Sequence, residues 1–299
     1  MYLSELLAIA AAACIALSGM LIGELKGRVP LLVLTRWQMI ASFAMTGAAS
    51  LVTGGWRTIE PWQAGSLALS GLFGIIIAST TYFAAIYIAG ARRTALLFSL
   101  SAPFAVLFGY LWLGETVTGQ QGAGIALVLA GVVLAIGGPK EGKGRDLVAA
   151  HSVGGRLALL GIALGVVTAV GQALGSLAAR PAMAAGAEPF TAMAIRSGIA
   201  AVFFVALSAL PIPGLKSATS FTMRTRLIAF GAAFFGIGLG MSLLMAALVN
   251  GNVGIVSTLS SLTPVLILPM VWVRTGHAPS ASAWGGAILA VAGIALISL

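Results

Sequence analysis

Charge is what this sequence has least of. Asp, Glu, Lys and Arg make up 8% of its 299 residues, where a soluble domain is about a quarter charged. So few charges cannot clothe a water-facing surface. The seven acids are Glu5, Glu24, Glu60, Glu115, Glu141, Asp146 and Glu188. Each falls at or beyond the end of an apolar stretch, and His151 and His277 fall in connections. A proton relay at mid-membrane depth needs Asp, Glu or His there. A proton-driven antiporter built on a central carboxylate is therefore disfavoured. Intramembrane proteolysis and metal hydrolysis are disfavoured for the same reason. We expect no enzyme, no cofactor and no metal. The single cysteine, Cys14, excludes an internal disulfide and any cysteine-based metal site. The bases give a formal charge of +9, but they stand singly or in pairs between apolar runs. Nucleic acid binding would need a continuous patch, so no nucleic acid partner is expected.

Apolar residues fill the space that charge leaves. They make up 60% of the chain, with a mean hydropathy of +1.08. A helix crossing the hydrocarbon core needs about 20 such residues. The polar breaks divide the chain into ten spans: Glu5–Gly23, Pro30–Val52, Trp62–Ala89, Thr94–Leu113, Gly119–Gly137, Gly155–Ala179, Ala187–Leu210, Leu227–Val249, Val253–Val273 and Ala281–Leu299. The first apolar stretch lacks the basic region and small-residue cleavage site of a signal peptide, so it is expected to be a retained first helix. Trp37, Trp56, Trp62, Trp112, Trp272 and Trp284 all lie within several residues of a proposed helix end, as an interfacial belt requires. Glycines recur at four-residue spacing in Gly19/Gly23, Gly161/Gly165 and Gly171/Gly175. In lipid, close backbone approach at small residues is what draws helices together.

The two halves of the chain repeat. Arg36 and Arg196 are 160 residues apart, Pro103 and Pro264 161, Gly90 and Gly251 161, and Gly131 and Gly293 162. The polar connection around Pro139–Arg156 separates them. The expected organisation is a first repeat over 1–138, a linker over 139–156 and a second repeat over 157–299. Five spans is an odd number, so the second half would sit upside down relative to the first. That is a common transporter plan, with the substrate site near the midplane between the halves. The fold class expected is an all-α integral membrane protein of ten transmembrane helices in two inverted five-helix repeats. Of the bases in the connections, only Arg57 and Arg180 fall on one side. The positive-inside rule then puts both termini outside.

Neutral polar groups remain to line a pocket. Thr168, Gln172 and Ser176 share one face of the sixth span, which should point away from lipid. Pocket lining and helix–helix hydrogen bonding both fit that face. Ser79 and Tyr82 share a face of the third span. The fourth offers Ser101 and the ninth Ser257 and Ser260, with Ser261 beside them. Tyr82 can form a cavity wall while its hydroxyl seeks a partner. Pro103 and Pro264 interrupt backbone hydrogen bonding at matching places, which suits a gate. Arg36 and Arg196 are expected near helix ends, snorkelling to the interface.

The run Thr81-Tyr82-Phe83-Ala84-Ala85, then Ala95-Leu96-Leu97-Phe98-Ser99-Leu100-Ser101-Ala102-Pro103, then Leu113-Gly114-Glu115 resembles the EamA repeat of the drug/metabolite transporter superfamily. The chain looks most like that family's YddG-type amino-acid exporters. The second half departs from the pattern: the position matching Glu115 falls near Gly276, and Tyr82 aligns with Leu243. The resemblance implies a bacterial inner-membrane exporter of amino acids or related metabolites. Its expected partners are a small-molecule substrate and the lipid bilayer, with the chain acting as a monomer. A multidrug or sugar-derivative carrier, and a non-transporting scaffold or sensor, are the alternative readings.

Overall fold

The computed structural model describes residues 2–25, 28–89, 94, 97–137, 155–209, 222–276 and 280–298. Residues 139–154 of the polar linker, Gly90 and His277 therefore lie outside the described residues, while Gly155 and Arg156 open a helix. Within them the chain is helical and contains no strand. In chain order the helices are α1 (Tyr2–Leu25), α2 (Leu31–Thr53), α3 (Pro61–Gly71), α4 (Ala78–Ala89), α5 (Ser101–Leu113), α6 (Gly119–Gly137) and α7 (Gly155–Ala184). There follow α8 (Pro189–Ala209), α9 (Met223–Ala233), α10 (Met241–Ala247), α11 (Val253–Ser260), α12 (Thr263–Thr275) and α13 (Ala281–Ser298). Six stretches among the described residues are long and apolar enough to cross a membrane. They are Leu3–Leu25, Pro61–Tyr82, Leu159–Ala184, Pro189–Ala209, Met223–Ala247 and Val253–Met270. Ser101–Leu113, Gly119–Leu134 and Ala281–Ile297 are shorter apolar helices. All six tryptophans are exposed, as a belt facing headgroups would be.

Two of the expected spans are single rods interrupted by a π segment. Leu72–Ile77 joins α3 to α4, and Phe234–Gly240 joins α9 to α10. The segments begin 162 residues apart. Two further spans are broken. A turn at Ser99–Leu100 precedes α5, and Ser261–Leu262 separates α11 from α12, again 162 apart. The prolines follow these breaks and do not sit in mid-helix. Pro103 and Pro264 occupy the first turns of α5 and α12. There the missing N–H lacks no intrahelical acceptor. The sixth span runs five residues past its expected end at Ala179, through Pro181, and stops where Gly186 turns left-handed at φ 88°.

Contacts between the halves are reciprocal. α1 packs on α9, its π segment, α10, α11 and α12; its counterpart α7 packs on α3, its π segment, α4 and α5. Matched helices also pair with each other, α2 with α8 and α6 with α13. These pairs run antiparallel. A Cβ added at Gly124 would meet the Gly293 carbonyl at 2.7 Å, and one at Gly131 the Gly286 carbonyl at 2.5 Å. Both contacts map onto each other when 162 is added or subtracted. Likewise Ser50, near the end of α2, hydrogen-bonds Thr191 at the start of α8 at 2.6 Å. Equivalent helices thus run in opposite directions, which is the inverted relation that an odd span number requires.

Candidate functional site

One close crossing between the halves lies where α7 meets the interrupted rod of the third span. Ser70 Oγ donates to the Gly175 carbonyl at 2.5 Å, and Ser66 Oγ to that of Ala178. A Cβ at Gly171 would meet the Phe73 carbonyl at 3.0 Å, and one at Gly175 the Gly74 nitrogen at 2.7 Å. Gly171 and Gly175 are therefore a true close-approach pair, whereas nothing lies within 4 Å of a Cβ at Gly23. The second half makes the matching crossing with Ser18, whose Oγ donates to the Ala232 carbonyl at 2.7 Å beside Gly236.

Arg196 stands at this crossing, and the structure corrects its expected place. It is fully buried, with no exposed side-chain surface, and does not snorkel. It lies eight residues into α8, followed by the small Ser197 and Gly198. Its backbone packs on Gly71, and its Nη2 lies where a Cβ on Gly74 would meet it at 3.1 Å. Nη1 reaches the Met245 sulfur at 2.9 Å and the Met193 sulfur at 3.7 Å, and Nε has no hydrogen-bond partner. The repeat partner Arg36 is only half-buried. No signal in the sequence distinguished the two except the small residues around Arg196, against Leu34 and Trp37 around Arg36.

The polar residues singled out from the sequence gather on adjoining elements. Ser79 and Tyr82 lie on α4, Thr168, Gln172 and Ser176 on α7, and these helices pack together. Thr168 is buried; its hydroxyl lies 2.7 Å from that of Thr81 and also donates to the Leu164 carbonyl. It ties α4 to α7. Ser176 is buried, while Ser79, Tyr82 and Gln172 are half-buried. The Tyr82 ring meets Phe98 edge to face at 5.8 Å between centroids. Ser101 is buried at the start of α5, which packs on both α7 and α11. On α11, Ser257 is buried, and both Ser260 and Ser261 donate to its carbonyl at 2.9 and 2.8 Å. The hydroxyls of Ser260 and Ser261 thus both serve the Ser257 carbonyl, which also accepts the Ser261 N–H at the break. Pro103 lies in a groove between α5 and α6, with Tyr110, Val117 and Ile125.

A second cluster lies at the end of the bundle where α5 finishes. Gly114 turns left-handed at φ 64°, and its N–H and that of Glu115 both return to the Gly109 carbonyl. This turn folds Glu115 back over Gly109, where a Cβ would meet Glu115 Oε2 at 2.8 Å. Glu115 Oε2 accepts from the Val253 N–H at 2.7 Å, and Oε1 lies 3.4 Å from Arg180 Nε. Arg180 Nη1 donates to the Val249 carbonyl at 3.3 Å, and Asn252 Nδ2 to that of Thr116 at 3.2 Å. Burial pushes the Glu115 carboxyl above its ordinary value, against the opposing pull of the Val253 N–H and Arg180. One carboxylate thus joins the first half to two helices of the second. Next to it Ser4, Glu5, Gln121, Asn250, Asn252 and Val256 line a cavity of about 150 Å³. Left-handed Gly276 is 162 residues beyond Gly114. Glu115 therefore matches His277, one residue past the position taken from the sequence.

Residues 3–137 and 159–299 both match the EamA-like transporter family. No curated protein matches the chain. Among solved structures 29 chains match. One crystal structure, described only as that of a protein, is 22% identical and superimposes with a TM-score of 0.81 over 98% of this chain and 95% of its own. That likeness speaks for the fold.

Proposed function

The chain belongs to the EamA-like transporter family, and we propose that it exports neutral or aromatic amino acids and related small metabolites by alternating access between its two halves. The observation that carries this reading is the inverted pairing of the repeats around matched interruptions. Interrupted helices with freed backbone groups are where transporters place their sites and pivots. Here both halves interrupt the same two spans at the same offset. In this reading ten spans cross a bacterial inner membrane with both termini outside, and the chain is a YddG-type exporter that works as a monomer. Ser79, Tyr82, Ser101, Thr168, Gln172, Ser176, Ser257 and Ser260 line the path, and Pro103 and Pro264 serve as pivots. The five described acids all sit at or beyond helix ends, in first or last turns, at a cap or in connections, which favours solutes without net positive charge.

Purified protein in liposomes should accelerate efflux of neutral amino acids in a broad labelled panel. Efflux no faster than from empty liposomes across the panel overturns the reading. Drugs and nucleotide sugars in the same panel separate it from other carriers of this fold.

A further inference from the structure

A guanidinium at depth must answer for its charge. It costs several kcal/mol to hold there unless paired, and an arginine with five N–H donors normally spends them on oxygen acceptors. Arg196 does not. Its Nη1 faces two thioether sulfurs, weak acceptors, and its Nε has no partner. The salt bridge of Arg180 with Glu115 lies elsewhere, at the end of the bundle. The crossing nonetheless makes room for the group. Gly71 and Gly74 withdraw their side chains from it, and the π segment places Gly74 between Arg196 and Gly175.

We propose that Arg196 is the anion-reading group of the transport site, binding the carboxylate of a zwitterionic substrate. The proposal rests on the transport reading above and names the feature by which the substrate is selected. A planar fork of donors matches a carboxylate two bonds at a time, and the Nη1–Nη2 end, whose Nη1 faces only the sulfurs, is the edge suited to it. In the present state two unbranched methionines cover that edge. Met245, the nearer of the two at 2.9 Å, belongs to α10, five residues past the end of the second π segment, so a shift of α10 at that segment withdraws its sulfur. The substrate carboxylate then replaces the sulfur.

The test compares a transported amino acid with its amide, its methyl ester and its decarboxylated amine in liposomes holding full-length protein. Wild type should carry the parent about ten- to a hundred-fold faster than each analogue, the factor expected of a charge-assisted pair. In Arg196→Gln the parent should slow until that preference falls to about one, and Arg196→Lys should retain part of it. A structural arginine would change all rates together and leave the preference intact. Wild type carrying the amide and amine as fast as the parent overturns the proposal without any variant having to fold. So does an Arg196→Gln protein that keeps the full preference. Absence of flux for every compound would instead sink the transport reading beneath it.

Discussion

Glu115 is the place to test whether the two halves separate at one end of the bundle. Glu115→Gln keeps an acceptor for the Val253 N–H but removes the charge 3.4 Å from Arg180 Nε. Arg180 then retains only the Val249 carbonyl at 3.3 Å. The pair is mostly shielded, at 18% and 12% exposure, so solvent does not cancel its attraction. It is an ionic contact without a hydrogen bond at Nε, which sets its worth at about 1–2 kcal/mol, between an ordinary hydrogen bond and one to a charged partner. At about 1.4 kcal/mol per tenfold, the end should open roughly 5- to 30-fold more often. The reporter is Val256, 1% exposed, lining the adjoining cavity. In a Cys14→Ser background carrying Val256→Cys, a membrane-impermeant maleimide applied at the end bearing Tyr2 should label about that much faster in Glu115→Gln. Arg180→Gln should do the same, and the double variant should add little. Labelling within twofold of the parent in both single variants would mean the contact persists in every state, and the latch would be refuted.

Two further outcomes follow from the same structure. Gly131→Val drives a side chain into the Gly286 carbonyl and Ala290 backbone, so it should lose about 1–3 kcal/mol or more in thermal unfolding, while Gly23→Ala, with open space, should hold or gain stability. Gln172→Ala should lower amino-acid flux severalfold in liposomes, and unchanged flux would assign the amide to packing.

The architecture was legible because its causes are periodic. Hydropathy marked the rods, and constant offsets marked the repeat; Gly131 and Gly293, matched by sequence alone, prove to be copies of one contact. Prolines marked the breaks to within a few residues, though the turns precede them. The π segments were not legible: an extra residue in a helix leaves no mark in an all-apolar run such as Leu72–Ile77. The site was legible only in part. Spacing put Thr168, Gln172 and Ser176 on one face, but spacing cannot tell which hydroxyls are already spent, as that of Thr168 is on Thr81 and Leu164. Arg196 was misplaced because its depth depends on α3 bulging around it, a long-range fact. The Glu115–Arg180 pair joins residues 65 positions apart, and nothing local in either announces the other.

The α6–α13 seam constrains the mechanics of any rocking motion. At two levels its helices touch backbone to backbone, at Gly124 with Gly293 and Gly131 with Gly286. Such a joint has no side chains to act as compressible spacers; it can twist but cannot slide or widen without losing both contacts. It therefore behaves as a fulcrum, and the far rim of the bundle must travel furthest. Distances between spin labels across this seam should stay constant while those across the α1–α9 and α3–α7 crossings change in opposite senses.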